Sequence, residues 1–253
     1  MTKHTIRAAL PAGTLLISMA FAQTPAFDVA SVRLSGPEER AAAAQFPPGG
    51  RFTANIALRY VIERAYDIED YQLLGDPDWV KTERYSIQAK AEGATTDDRL
   101  RLMVQTLLAS RFGLKIHHET RDLPVYALVV GKGGPKLQVA SDATLCGGNG
   151  CFTIGKGNFG AKGATLPWAA KTLTRIMDRP VLDKTQLSGN YDFRLHFDPS
   201  TASAAVMAAA STADSTEPSI FTAIQEQIGL KLDPRREPVD VLVIDHVEKP
   251  SGN

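Results

Sequence analysis

The stretch "RFGLKIHHETRDLPVYALVV", Arg111–Val130, is answered later in the chain by "QIGLKLDPRREPVDVLVIDHV", Gln227–Val247. Both open on Gly-Leu-Lys and an aliphatic residue, at Gly113–Ile116 and Gly229–Leu232. Both cross a charged segment to a proline, Pro124 or Pro238, and both end in a β-branched run. Self-similarity of this kind marks one supersecondary unit used twice. The second copy is two residues shorter between glycine and proline, which suits a trimmed hairpin loop between two strands.

The repeat extends upstream. "DDRLRLMVQTLLASRF" places Leu100, Met103, Val104, Leu107 and Leu108 at helical spacing, with Thr96 or Asp97 as N-cap and Gly113 just past the end. "PSIFTAIQEQIGL" does the same with Ile220, Phe221, Ile224 and Ile228, between Pro218 and Gly229. Further back, "NIALRYVIERAYDI" (Asn55–Ile68) predicts a helix with Ile56, Tyr60, Ile62 and Ala65 inward, and "LPWAAKTLTRIMDRP" (Leu166–Pro180) is its counterpart. Each is followed by a strand opened by an aromatic residue, "RYSIQAKAE" from Arg84 and "NYDFRLHFD" from Asn190. "FDVASVRLS" (Phe27–Ser35) predicts a strand joining the first sheet. The predicted fold class is α+β: two tandem related modules, each helix-strand-helix-strand-strand, with small sheets packed on helix pairs. The first module is expected over residues 23–140 and the second over 164–253. A Gly-rich connector is expected over 141–163, and an Ala/Ser/Thr-rich surface insertion over 199–218.

The first residues have the form of a secretory signal peptide. Lys3 and Arg7 precede an apolar run of 15 residues, Ala8–Ala22, that ends in Ala-Phe-Ala. That run is shorter than the roughly 20 residues a spanning helix needs. Cleavage near Ala22 predicts a periplasmic or secreted protein with no integral membrane segment. Removing Lys3 and Arg7 leaves 26 basic against 28 acidic side chains, a net charge of −2. No electrostatic reason for a nucleic-acid partner follows. The two cysteines stand in "CGGNGC", Cys146–Cys151. Outside the cytoplasm a disulfide is the expected state, ahead of free thiols and of a metal site.

The motifs that look chemical are weak. In a regular strand His117 and His118 point to opposite faces, His117 beside Lys115 and Glu119, so they cannot share one metal ion. The matching residues of the second copy are Asp233 and Pro234, so the scaffold recurs without the histidines. His196 and His246 are solitary in predicted strands. "GCFTIGKG" (Gly150–Gly157) approaches a P-loop but ends in Gly157 where a hydroxyl must hold magnesium. Asp183-Lys184-Thr185 reads as a turn before the strand at Tyr191. No catalytic residues, metal ligands or cofactor are assigned.

Taken in order, "FDVASVR", "GRFTANIALRYVIERAYDI", "GDPDWV", "RYSIQAKA", "RLMVQTLLASRFGLKIHHETRDLPVYALVVGKGGPKL", "RPVLDKTQLSGNYDF" and "IGLKLDPRREPVDVLVIDHVEKPS" resemble the Solibacter-type acidobacterial paralogous family of secreted proteins, a domain of unknown function. Members of that family usually carry glycine in a "DKTGL" turn; Gln186 stands there, which leaves the geometry of that turn open. The second half is similar, more weakly, to the short N-terminal domain of secretins and TonB-dependent receptors. These resemblances imply envelope interactions and carry over no catalytic residue. The expected function is a non-enzymatic extracytoplasmic module that binds an envelope protein or peptide. The alternative is a secreted hydrolase, metal-assisted through His117 or His118.

Overall fold

The computed structural model describes residues 24–144, 146, 149–155, 157–202 and 216–250. The signal peptide expected over residues 1–22 lies outside them, as do residues 203–215 of the expected Ala/Ser/Thr-rich insertion. Among the described residues, five α-helices and three four-stranded sheets make a mixed α+β protein. Two compact units divide the chain, and each draws on more than one stretch of it. One takes residues up to Asp67, Pro77–Lys115 and the stretch from His246; the other takes Ile68–Asp76 and Ile116–Asp245.

In the first unit, strands β1 (Val29–Leu34), β2 (Ala42–Gln45), β3 (Arg51–Ala57) and β5 (Arg84–Lys90) form an antiparallel sheet in the order β1-β5-β3-β2. Helix α1 (Leu58–Tyr66) packs on α3 (Asp97–Phe112), and the short α2 (Asp78–Thr82) lies against α1. Helix α1 starts later than its apolar pattern predicts, because Asn55, Ile56 and Ala57 complete β3. Its buried stripe is Leu58, Val61, Ile62 and Ala65, so Tyr60, expected inside, is turned out and 49% exposed. Helix α3 behaves as its sequence predicts. The Thr96 hydroxyl accepts from Arg99 N–H at 3.3 Å, Asp97 and Asp98 occupy the first turn, and Gly113 closes the helix in the left-handed conformation. Tyr85 and Phe112 are both buried and meet edge to face at 5.0 Å. Burial pushes the Tyr85 hydroxyl well above the ordinary tyrosine range, and its hydrogen bond to Glu83 adds to the shift.

In the second unit, β7 (Gln138–Val139), β8 (Cys151–Gly155), β9 (Asn158–Thr165) and β11 (Asn190–His196) form an antiparallel sheet in the order β7-β11-β9-β8. Strands β8 and β9 make a hairpin over most of the stretch expected to be a connector, 141–163, and β9 runs past it to Thr165. Helices α4 (Leu166–Thr174) and α5 (Ile220–Ile228) supply Leu166, Ala169, Leu173, Ile220, Ile224 and Ile228 to a core shared with Phe159, Leu195 and Phe197. Helix α5 is capped by Ser219 at 3.2 Å and closed by a left-handed Gly229. Phe221, expected inside, is 37% exposed and covers Tyr126 edge to face at 5.3 Å.

The Gly-Leu-Lys stretches differ from expectation. Each forms one long strand, β6 (Lys115–Val130) or β12 (Leu230–His246), where a hairpin of two was predicted. The two strands pair with each other in a sheet of order β10-β6-β12-β4, with β4 (Leu73–Leu74) parallel to β12 and β10 (Val181–Asp183) parallel to β6. Contacts His117–Asp245, Thr120–Asp240 and Arg236–Asp122 step in opposite directions along β6 and β12, so these two run antiparallel. The charged middle is strand because a ribbon with water on both faces needs no apolar alternation; its backbone ladder and cross-strand polar pairs suffice. Burial is confined to Val125–Leu128 of β6 and to the two ends of β12. Tyr126 and Leu128 face the helix core, while Val125, Val239 and Val241 form a second cluster on the opposite face.

The turn after β10 keeps the backbone of the glycine it lacks. Asp183 Oδ1 accepts from the Thr185 N–H at 3.0 Å and the Thr185 hydroxyl at 2.7 Å, and exposed Gln186 sits at φ +60°. A side chain there costs roughly 1–2 kcal/mol, of which glycine's greater unfolded freedom returns about 0.5–1. Gln186→Gly is therefore expected to stabilise the protein by about 0.5–1 kcal/mol in urea unfolding. A variant no more stable than the parent would show that this turn carries no strain.

Candidate functional site

The site begins with side-chain alternation in the second unit's sheet. On β11, Tyr191, Phe193 and Leu195 pack toward the core, so Asp192, Arg194 and His196 take the other face. On β9, Phe159 and Ala161 are buried, which leaves Asn158, Gly160 and Lys162 outward. On β8, Phe152 packs inward, which leaves Cys151, Thr153 and Gly155 outward. The open face of these strands is a groove of about 730 Å³, closed off by Lys136, Gln138 and the Gln227 end of α5.

Glycine shapes its floor. Gly160 pairs with Thr153 on one side and Arg194 on the other. A Cβ at Gly160 would meet Thr153 Cβ at 3.8 Å and Arg194 Nε at 4.0 Å, which is ordinary contact. The backbone there does not require glycine, and the missing side chain leaves the space open. The rim is held by side-chain to backbone bonds. Gln227 reads His196 as a neighbouring strand would: its Oε1 accepts from His196 N–H at 2.9 Å and its Nε2 donates to His196 O at 2.8 Å. Lys136 Nζ donates to Glu226 O at 2.7 Å at the C-terminal end of α5, where the helix dipole favours a cation. Asp192 Oδ1 accepts from Gly163 N–H at 2.7 Å.

Among the described residues, Lys136, Lys162 and Arg194 face this groove against the one acid Asp192. Thr153, Asn158, Gln138 and Gln227 add hydroxyl and amide groups. Such a lining can bind and orient a polar ligand.

Cys146 and Cys151 form a disulfide with Cα atoms 5.4 Å apart, which ties down the start of β8 at the groove. Closing so small a ring contributes about 2 kcal/mol by loop entropy. Reduction, or replacement of both cysteines by serine, is expected to lower the stability to urea by that amount. An unchanged unfolding midpoint would sink the estimate.

The histidines lie elsewhere. His117 Nδ1 sits 2.8 Å from Asp245 Oδ1, and His117 Nε2 is 3.9 Å from Glu119. The Arg121 hydrogen bond, at 2.8 Å, holds the Glu119 carboxyl below its usual range. His118 is exposed and has no side-chain partner among the described residues. His246 Nε2 stands 3.7 Å from Glu248. Among the described residues, no group of three or more His, Cys, Asp or Glu is placed to hold a metal ion. Within "GCFTIGKG", Cys151–Gly155 is strand β8, and strand β9 rather than a helix comes next, so no helix N-terminus stands there to receive a phosphate.

The groove escaped the sequence reading. Alternation along "NYDFRLHF" is the signal that puts Arg194 opposite Phe193 and Leu195, whereas Lys162 and Thr153 fall within the Gly-rich stretch expected to be a connector.

The family described as "Protein of unknown function (DUF3738)" matches residues 59–247. The chain belongs to this family. No curated protein and no solved structure matches it. The DUF3738 span runs from α1 to just past β12 and takes in every groove residue. No helix among the described residues is long and apolar enough to cross a membrane.

Proposed function

We propose that this DUF3738 protein is an extracytoplasmic, non-enzymatic binding module that takes an extended segment of an envelope protein on the open face of the β7-β11-β9-β8 sheet. The groove carries this reading: it spans four strands and is lined by donors and acceptors suited to a peptide main chain. Strand β8 is an edge of that sheet, so a partner strand can also pair along it. The charged n-region, apolar run and Ala-Phe-Ala of residues 1–22 support export, as does a disulfide that needs an oxidising compartment.

The test compares the parent protein with Gly160→Trp, which puts a large ring into the groove at a position where an added Cβ makes only ordinary contacts. Both are used as bait in envelope extract, with mass spectrometry of what is retained. The expected result is a defined partner held by the parent and lost by the variant. Retention of the same partners by both baits, or of none by the parent, would overturn the reading.

A further inference from the structure

We infer that the groove of the second unit selects an acidic extended segment, with carboxylates recurring at alternate residues. This rests on the proposed function and names the chemistry of its partner. Lys162 and Arg194 are exposed, face the groove, and have no hydrogen-bond or ion-pair partner among the described residues. Arg194 pairs with Gly160, so Lys162 stands two residues further along the adjacent strand. Such diagonal neighbours have Cα atoms about 7–8 Å apart. On one face of an extended chain, side chains recur every ~6.8 Å. Two carboxylates of an alternating segment therefore match the two cations, one to each.

The nearby acid does not cancel them. One oxygen of Asp192 already accepts from Gly163 N–H, and no ion pair joins it to Lys162 or Arg194 among the described residues. Lys136 adds a third positive charge at the rim, though its ammonium is engaged with Glu226 O. The amide and hydroxyl side chains of Gln138, Thr153 and Asn158 suit a peptide main chain rather than a run of phosphates. The near-neutral chain as a whole supplies no field for a polyanion, so attraction is confined to this face.

The experiment uses the purified exported chain and a fluorescent peptide alternating glutamate with valine, followed by anisotropy across a salt series. Its glutamine counterpart and inorganic phosphate are the other probes. The acidic peptide is expected to bind at least tenfold more tightly than the glutamine peptide, and to weaken as salt rises. Lys162→Glu with Arg194→Glu should reduce binding at least tenfold. Arg99→Glu, an exposed charge reversal on α3 in the other unit, should leave it unchanged. Circular dichroism of the double variant must match the parent. If both peptides bind alike and Gly160→Trp abolishes both, the groove reading stands and the acidic selection is overturned. If phosphate displaces the peptide at equal concentration, the face is a simple anion site and the inference falls. If the acidic peptide does not bind, the inference also falls, while the envelope capture still decides the groove reading.

Discussion

Phe159→Ala is expected to lower stability by about 3–5 kcal/mol and to remove the groove with it. Phe159 has no solvent exposure. It lies between Ile154 and Leu195 in the ladder of its sheet, stacked on Phe152 at 5.9 Å and met by Phe193 edge-on at 5.7 Å. Strand β9 reads "NFGAKGAT", so this ring is the one large apolar side chain that the strand contributes. Its removal leaves a cavity between Phe152, Phe193 and Leu195, which are anchored on adjacent strands, and close-packed interiors collapse only partly around such gaps. The measurement is urea unfolding followed by near-ultraviolet circular dichroism. Phe221→Ala is the internal comparison: that ring is 37% exposed at the surface of α5, so about 1 kcal/mol is expected. Equal losses for the two variants would mean that β9 is not the centre of this core.

Much of the architecture was legible because local physics agreed with the final packing. The stripe Leu100, Met103, Val104, Leu107 and Leu108 is buried on α3 as written. Gly113 and Gly229 end their helices where the glycine signal placed them. Strand β9 was not legible, for the same reason that Phe159 matters. A strand of Gly, Ala and Lys has no intrinsic β signal, and it forms because Phe152, Phe193 and Leu195 on its neighbours provide the surface. The long ribbon was missed for a related reason. The charged segments running to Pro124 and Pro238 look like hairpin loops, and become strand because each stretch is the other's pairing partner across the chain. The groove needed the correction at β9, since Lys162 comes onto the same face as Arg194 only through the pairing of β9 with β11.

The two helix-ending glycines look equivalent in sequence, and alanine should separate them. Gly113 and Gly229 have φ of +57° and +70°, and their N–H groups close onto Leu108 O and Ile224 O respectively. Left-handed backbone costs any residue with a Cβ about 1 kcal/mol more than glycine, so both substitutions begin from that loss. At Gly113 the added Cβ would lie 3.1 Å from Glu248 Oε1, the end of a flexible side chain that can swing away. At Gly229 it would lie 2.1 Å from Gly134 O and 2.9 Å from Lys136 N, both main chain. That segment cannot yield freely, because Lys136 N–H donates to Ile228 O and Gly131 N–H donates to Gly229 O. Gly229→Ala must therefore shift the backbone that carries Lys136, a rim residue of the groove. The expected losses are about 1 kcal/mol for Gly113→Ala and more than about 3 kcal/mol for Gly229→Ala. Similar unfolding midpoints for the two variants would refute the close approach at Gly229. A loss of peptide binding confined to Gly229→Ala would tie the second Gly-Leu-Lys stretch, and not the first, to the shape of the groove.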